Sequence, residues 1–457
     1  MFDRLQAALD ASRAAFTEIR TERAWTTVVT WRGDALQGAQ TAEEQGASVR
    51  ALSQAGGWGV AAASGMENLD QQVARAHEYS LAVNPRTPAK LAPVPARELD
   101  SRDDMTDDVR GIPLGDKVAL LQHLVSEALQ IDRRLVDSQA AYTDEVTETW
   151  YVNSEGTRCY ALRSSIRLAA LAVVQDGGLV GRAGESVGVR GGWRRTEDRE
   201  PLFTAATTRA LEQVSARPFR SGRLQVVLDP RLAGVLALEL VGRIAPADLA
   251  AEDGRAGRFA LGQRVGSERV TIGDDGSALG LRATLAFDDE GSPASNTLLV
   301  QNGEVVGHLH TRETAGRTGA GPTGNARART WRHSPVAAPT NLYIAAGTGD
   351  RDALLSDVRL GVYLADAQAS RLLPNEAALV AGSAWMIRDG EIAEPVRGVV
   401  LAGEATELLG AVEMVGGDFR WHEPAGGLRR REQGDLPVAV GAPHIRLQRA
   451  ELRGQAT

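Results

Sequence analysis

The most informative stretch of the chain is VVLDPRLAGVLALELVGR, residues 226–243. It opens with apolar, β-prone residues, which predict a buried strand. Asp229 and Pro230 then supply an N-cap and a first helical residue, so a helix is expected to begin there. Glu239 lies on the apolar face of this helix, where a carboxylate is unfavourable unless it is paired. Arg243 follows four residues later, which predicts an ion pair with Glu239.

The N-terminal part of the chain switches between helical periodicity and strand-like alternation. Helices are expected over residues 1–20, 67–82, 115–129 and 202–216. Asp116 is the expected cap of the third helix. The remaining expectations are a meander of short strands over 25–63, an irregular connector over 83–113 and a hairpin over 136–175 that turns at 153–156.

The C-terminal part is richer in short strands separated by Gly and Asp turns. Examples are residues 297–301, 305–310 and 341–345. This texture predicts an α+β protein of two domains, residues 1–218 and 219–457. Mostly antiparallel sheets flanked by helices are expected in both.

Composition excludes several classes of function. The chain has 457 residues, with 51 Lys and Arg against 59 Asp and Glu, and the net charge of −8 argues against a general nucleic-acid binder. Its one cysteine, Cys159, rules out an intramolecular disulfide and a multi-cysteine zinc site. No apolar run is long enough for a transmembrane helix, and the N-terminus lacks the apolar region of a signal peptide. The cytoplasm is therefore the expected compartment.

Three other motifs have an ordinary structural interpretation. Gly184–Gly188 fits the G-x-S-x-G pattern. A nucleophile elbow requires a helix after it, and none is expected here, so a glycine-rich loop is the interpretation. The glycine-rich run 316–325 lacks the Lys-Ser/Thr pair that holds nucleotide phosphates, which favours a loop. The acidic turns 274–276 and 288–291 have no EF-hand spacing and are interpreted as solvated turns.

His308 and His310 are two residues apart, which on a strand places both imidazoles on one face. Two imidazoles can serve a metal, but no third ligand lies nearby in the sequence. The pair is therefore interpreted as polar surface, with a relocated metal site as the alternative.

The stretch 226–243 resembles the TldD/PmbA family, metallopeptidases once labelled modulators of DNA gyrase. The catalytic branch of that family carries V-V-L-x-P-x-x-x-G-V-L-x-H-E-x-x-x-H, and this chain has the same frame around a different ligand set. The resemblance extends over almost the whole chain. Its other segments are 153–156, 176–178, 287–293, 309–315, 322–325 and 339–343.

The departures from that pattern bear on function. In the catalytic branch both His of H-E-x-x-x-H bind zinc and the Glu is the general base, so the resemblance implies lost ligands at Leu238 and Arg243 and a remnant base at Glu239. A third ligand, a Cys in a C-G-K-x-G-Q loop, is missing from the equivalent stretch 426–434. Residues five apart on a straight helix are separated by about 140°. Position 243 is therefore expected beyond the helix end, with Gly242 allowing the turn.

The resemblance implies a metal-free, catalytically inactive subunit. The family's proteases are heterodimers in which one subunit carries the zinc, so the expected partner is a TldD-like catalytic subunit, and no cofactor is expected in this chain. The two subunits would enclose a cavity for unfolded peptides, bound by strand addition. Peptide contacts are expected at His310, Thr340 and Asn341.

Three alternatives stay open. The chain can be a self-associating homologue, a homodimer that binds peptides without cutting them. It can be an active metallopeptidase with relocated ligands such as His308 and His310. Binding to DNA or gyrase has only the old family label in its favour, and the charge balance gives it no support.

Overall fold

The computed structural model describes residues 1–197, 199–250, 259–372 and 377–455. Within these ranges the helices are α1 (Phe2–Asp10), α2 (Leu69–Ala82), α3 (Leu114–Leu129), α4 (Glu200–Ser215), α5 (Pro230–Ala237), α6 (Ala247–Ala250), α7 (Arg312–Thr318), α8 (Arg351–Leu355) and α9 (Ala405–Gly410). No described helix is both long enough and apolar enough to cross a lipid bilayer.

The strands are shared between a first group before residue 191 and a second group after residue 216. The first group comprises β1 (Phe16–Arg32), β2 (Ala35–Leu52), β3 (Trp58–Ser64), β4 (Glu98–Arg102), β5 (Leu135–Asn153), β6 (Arg158–Asp176) and β7 (Leu179–Arg190). The second group comprises β8 (Arg217–Pro218), β9 (Gly222–Leu228), β10 (Ile272–Asp275), β11 (Asn296–Gln301), β12 (Glu304–Val305), β13 (Ala326–Arg327), β14 (Val336–Ala337), β15 (Asn341–Ile344), β16 (Leu360–Leu372), β17 (Ala377–Arg388), β18 (Glu391–Arg397), β19 (Val399–Gly403), β20 (Val412–Val415), β21 (Arg420–His422), β22 (Gly427–Arg429), β23 (Asp435–Pro437), β24 (Ala439–Ala442) and β25 (Ile445–Gly454).

The first seven strands form one sheet in the order β3-β2-β1-β5-β6-β4, with β7 also paired to β6. All pairs are antiparallel except β4 with β6. Helices α3 and α4 pack on the strands β5, β6 and β7. The predicted hairpin over 136–175 is confirmed almost to the residue, with its turn after Asn153.

The C-terminal half contains an eight-stranded sheet and a six-stranded sheet. Helix α5 lies between them, because it packs against β16 and β9 of the larger sheet and against β15, β24 and β21 of the smaller one. Its apolar residues belong to the largest hydrophobic core of the chain. The α+β prediction with mostly antiparallel sheets is confirmed. The division into two domains near residue 218 stays a prediction.

The N-terminal helix predicted over 1–20 is wrong beyond its first half. Helix α1 ends at Asp10, and Phe16 opens strand β1. Phe16 and Ile19 are buried on the sheet rather than on the helix, because their spacing fits either element. The strands of the 25–63 meander are long rather than short, since β1 and β2 have 17 and 18 residues.

Three smaller expectations also fail. The connector over 83–113 contains a strand, β4, that pairs with β6. Asp116 lies in the first turn of α3 and does not cap it; Pro113 occupies the N-cap position. The strand expected over 305–310 ends at Val305, so the two histidines lie on irregular backbone.

The acidic turn at 288–291 is buried, not solvated as predicted. Asp288 is 2% exposed and accepts hydrogen bonds from the backbone N–H groups of Glu290, Ser292 and Ala326 at 2.9–3.0 Å. Burial raises the pKa of Asp288 well above its usual value. Asp289, next to it, binds Arg20 of β1 at 2.8 Å. The turn therefore joins the C-terminal half to the N-terminal sheet.

Arg50 makes the second link across this boundary. Its guanidinium lies between Glu18 of the neighbouring strand and Glu290 of the acidic turn, at 2.5 Å and 2.7 Å. All three residues are buried, and Tyr151 donates its O–H to Glu18 at 2.8 Å. Burial also raises the pKa of Glu18. Removing this cation would leave two carboxylates close together in the interior.

Replacing Arg50 is therefore expected to destabilise the chain strongly. Arg50→Ala should lower the free energy of unfolding by roughly 3–5 kcal/mol, the usual effect of breaking a buried ion pair from one side. Urea unfolding followed by circular dichroism measures it. Arg23→Ala is the matched control, because Arg23 forms a 2.7 Å pair with Glu43 on the same two strands but is 42% exposed. Equal losses for the two variants would contradict the structural role given to Arg50.

Candidate functional site

The predicted strand–helix junction at Asp229 is confirmed. The Asp229 side chain accepts a hydrogen bond from the N–H of Leu232 at 2.7 Å, and Pro230 is the first residue of α5. A side chain at Gly234 would lie 3.0 Å from Val440, so glycine allows α5 to approach β24 closely. These constraints fix the direction in which the helix enters the space between the two sheets.

A ring of four charges surrounds the start of this helix. Arg231 binds Glu185 at 2.8 Å and Asp366 at 3.0 Å, and Arg209 binds the same two carboxylates. Glu185 and Arg209 come from β7 and α4, whereas Arg231 and Asp366 come from α5 and β16. The sequence analysis did not predict this ring, because its members are far apart in the chain and no local motif marks them.

Helix α5 continues into a π-helical turn over Leu238–Gly242. The N–H of Arg243 donates to the carbonyl of Leu238 at 3.1 Å, an i to i+5 bond. Position 243 lies just beyond the helix end, as expected, because the π turn ends at Gly242. The backbone angles of Arg243 are still helical, so Gly242 makes no sharp turn. A Cβ at position 242 would lie 2.9 Å from the end of the Leu238 side chain, which would have to move. The wide turn brings positions 238 and 243 together.

The predicted ion pair between Glu239 and Arg243 is confirmed. Arg243 donates from Nε and Nη2 to the two carboxylate oxygens at 2.5 Å and 3.0 Å. The Glu239 side chain is 3% exposed and that of Arg243 is 33% exposed. Ser370 of β16, which the sequence analysis missed, donates its O–H to Glu239 at 2.9 Å. The carboxylate thus receives three hydrogen bonds, two of them charge-assisted.

Leu238, the first of the two positions predicted to have lost a ligand, lies in an apolar environment. Leu238 is 8% exposed and belongs to the same hydrophobic cluster as Leu428 of the 426–434 stretch. That stretch contains β22 and the turn that leads to its partner strand β23. Arg430 within it pairs with Asp248. Cys159 is fully buried in β6, where burial raises its pKa to about 12. In the described part of the chain, no group of three or more His, Cys, Asp or Glu is arranged to hold a metal ion.

The two histidines lie near each other but are already bonded. The His308 and His310 ring centroids are 6.2 Å apart. Nε2 of His308 lies 2.8 Å from the carbonyl of Phe259, and Nδ1 of His310 lies 3.2 Å from the hydroxyl of Thr314. Burial lowers the pKa of His310 to about 4, so this imidazole is neutral at pH 7.

Thr340 and Asn341 face the interior. Both are fully buried; Thr340 donates its N–H and O–H to Asp274 at 2.8 Å, and Asn341 donates to the carbonyl of Asp275 at 2.7 Å. Asp274 is buried as well, so the 274–276 turn is not the solvated turn predicted. Asn341 opens β15, a central strand paired with β10 and β24. A role of Thr340 and Asn341 in peptide binding stays a prediction. Because both side chains are buried, that role would be to support the sheet rather than to contact the peptide.

The remaining two motifs are expected to be glycine-rich loops, and for Gly184–Gly188 that expectation is wrong. Gly184–Gly188 lies inside strand β7, with no helix directly after it. The 316–325 run begins as the last turn of α7, and Gly319 ends that helix with a left-handed φ of 76°.

Three family models match the chain in succession. Residues 17–80 match the PmbA/TldA metallopeptidase domain 1, residues 107–217 match the central domain, and residues 221–454 match the C-terminal domain. The last of these spans just over half of the chain.

Two metalloproteases from other organisms align with this chain over nearly their full length. Metalloprotease slr0863 of Synechocystis is 31% identical over 447 residues, which covers 97% of this chain and 96% of the relative. A metalloprotease of Methanothermobacter thermautotrophicus is 30% identical over 448 residues, with the same coverage. The crystal structure of TldE from Thermococcus kodakarensis is 18% identical with a TM-score of 0.78, covering 99% of this chain and 100% of that one. At 18% identity, the similarity to TldE shows that the two proteins share a fold.

Loss of the Arg243 guanidinium is expected to destabilise the helix end. Arg243→Ala would leave the buried Glu239 carboxylate with only the Ser370 hydroxyl, and the free energy of unfolding should fall by roughly 1–3 kcal/mol. Arg317→Ala is a matched control, because Arg317 also pairs with a Glu four residues earlier but is 47% exposed. Unfolding in urea compares the two variants. An Arg243→Ala loss no larger than the control's would refute the pairing as a stabilising contact.

Proposed function

The chain belongs to the PmbA/TldD metallopeptidase family, and we propose that within it the chain is a non-catalytic subunit of a TldD/TldE-type peptidase. One observation carries the proposal: the two zinc-ligand positions of the family's helix are an apolar leucine and an arginine paired with the general-base position. The subunit would help to enclose and bind unfolded peptides, while a TldD-like partner carries the zinc. A cytoplasmic location is part of the proposal.

Zinc does not fit the residues at this site. Leu238 offers no lone pair, and the guanidinium of Arg243 stays protonated at neutral pH, so neither side chain is a ligand. Arg243 also donates a hydrogen bond to each of the two Glu239 carboxylate oxygens. The carboxylate is therefore not free to take a proton from a water molecule. A catalytic zinc site usually needs three protein ligands and an open position for water. No hydrolytic step is therefore assigned to this chain.

Peptide binding would use a sheet edge. An extended peptide adds to a sheet only where a strand has unpaired backbone groups. The six-stranded sheet runs β12-β11-β10-β15-β24-β21, so β21 is the edge strand on the side of β24. Helix α5 packs against β21, which would place an added peptide strand next to the helix that carries Glu239. Exposed backbone on β21 would bind peptides independently of their side chains.

Two other functions keep some support. A self-associating homologue that binds peptides without a partner would use the same sheet edge. An active metallopeptidase with relocated ligands is favoured by the relatives themselves, since those at 30–31% identity carry the name metalloprotease. Its candidate ligands are His308 and His310, whose rings are 6.2 Å apart. Metal content and association state distinguish the three.

We expect the purified chain to hold no stoichiometric zinc and to cleave no unfolded peptide. Elemental analysis after dialysis and a fluorescent casein assay measure both. Co-expression with a relative that has an intact H-E-x-x-x-H should yield a mixed complex on size-exclusion chromatography, with zinc and chelator-sensitive proteolysis. About one zinc per isolated chain, with activity lost on chelation, would support relocated ligands instead. A zinc-free homodimer that ignores the partner would support the self-associating homologue.

Restoring the ligands should be cumulative. Leu238→His alone supplies one imidazole beside the Arg243 cation, which disfavours a second positive charge. We expect measurable zinc only in Leu238→His/Arg243→His, or after a Cys is also added within 426–434. Arg243→His alone is the matched single-ligand control. Tight zinc binding by Leu238→His on its own would mean that other ligands already stand nearby.

A further inference from the structure

A charged cavity of about 110 Å³ lies between the N-terminal sheet and the C-terminal half. Five arginines line it: Arg163, Arg190, Arg282, Arg327 and Arg329. Four carboxyl groups line it as well. It is distinct from the site around Glu239, because none of the residues of that site lines it.

Two of the five arginines are neutralised by carboxylates of the cavity. Arg190 binds Asp103 at 2.5 Å, and Arg329 binds Glu145 at 2.9 Å. A third carboxylate of the lining, Asp289, is already paired with a cation from strand β1. These pairs leave little negative charge available for the remaining arginines.

The other three arginines, Arg163, Arg282 and Arg327, form no salt bridge with any described carboxylate. Their guanidinium groups donate hydrogen bonds only to backbone carbonyls. Arg163 donates to Phe287 at 3.5 Å, Arg282 to Pro424 at 2.9 Å and Arg327 to Pro339 at 2.5 Å. Burial lowers the pKa of Arg282 and of Arg327 to about 10. Arg327 is buried and the other two are half-buried. Three cations that face one cavity, none of them in a salt bridge with a described carboxylate, indicate a place for an anion.

We propose that this cavity binds one small oxyanion, a carboxylate or a phosphate, held by Arg163, Arg282 and Arg327. Planar guanidinium groups match both oxyanions through paired N–H donors. The cavity of about 110 Å³ is large enough for such an ion. A buried water molecule needs only about 10–15 Å³ of cavity volume, and a carboxylate or phosphate takes the place of a few waters. The proposal is independent of the proposed peptidase role, since none of the three arginines contacts the helix α5 residues discussed above.

Glu22 makes the binding dependent on pH. It lines the same cavity, and burial raises its pKa to about 7. The charged groups that act on it are Arg20, Glu145, Arg163, Asp289 and Arg329. Below pH 7 the Glu22 carboxyl is neutral and can donate its O–H to the anion. Above pH 7 it is ionised and repels the anion, so affinity falls as the pH rises.

The test is calorimetric titration of the full chain with sodium acetate and, separately, with inorganic phosphate, at constant ionic strength in chloride. At pH 6 we expect saturable binding of at least one of them at a single site. Arg163→Gln should weaken it by about tenfold or more, as expected for loss of one charge-assisted contact. Arg86→Gln is the charge-matched control, because Arg86 is exposed. Acetate and phosphate identify which oxyanion the cavity prefers.

Glu22→Gln provides a test that does not depend on the folding of the arginine variant. The pH series uses acetate and, in place of phosphate, sulfate, because both anions keep a constant charge between pH 6 and pH 8 whereas inorganic phosphate gains a charge near pH 7. Wild-type affinity for either anion should fall by up to about tenfold over that range, following the ionised fraction of a group with a pKa of about 7. Glu22→Gln should keep its affinity over that range. The proposal is overturned if neither anion binds saturably. It is equally overturned if folded Arg163→Gln binds as the wild type does, or if Glu22→Gln keeps the full pH dependence.

Discussion

The carboxylates of the 288–291 turn hold the two halves of the chain in register. They lie in the interior, where an unpaired charge is strongly unfavourable, so each requires a specific partner. Asp289 has Arg20, Glu290 has Arg50, and the backbone around the turn serves Asp288. Those arginines belong to the N-terminal sheet. The carboxylates of Asp289 and Glu290 therefore have their ion-pair partners only when the N-terminal sheet packs against the C-terminal half. The proposed oxyanion cavity, which is lined by residues of both halves, exists only when the halves are docked.

A second set of charges fixes the helix of the candidate site. The ring formed by Arg209, Arg231, Glu185 and Asp366 ties α5 to β7 and α4 of the other half. The π turn at its far end brings Leu238 and Arg243 together, the two positions that we propose as lost zinc ligands. The frame of the peptidase helix is thus retained, while its polar chemistry is satisfied internally by Arg243 and Ser370.

Sequence reasoning succeeded where local signals are strong. The hairpin over 136–175 has strict alternation and a clear turn, and α5 has an Asp-Pro start, so both were located closely. It failed where one spacing fits two structures, as at Phe16 and Ile19. The π turn has no recognisable local signature. The buried state of the acidic turn was unpredictable for another reason: Arg20 is 269 residues away from Asp289, and only the folded chain brings them together.

Cys159 packs beside Tyr151 and Phe287, where the two halves of the chain meet. The thiol has no exposed surface, and its raised pKa keeps it protonated and unreactive. A thiol-specific label can therefore attach only when the packing around Cys159 opens. Since the chain has no other cysteine, each labelled molecule is one whose packing around Cys159 has opened. The rate of labelling by a thiol reagent therefore reports how often the contact between the two halves opens.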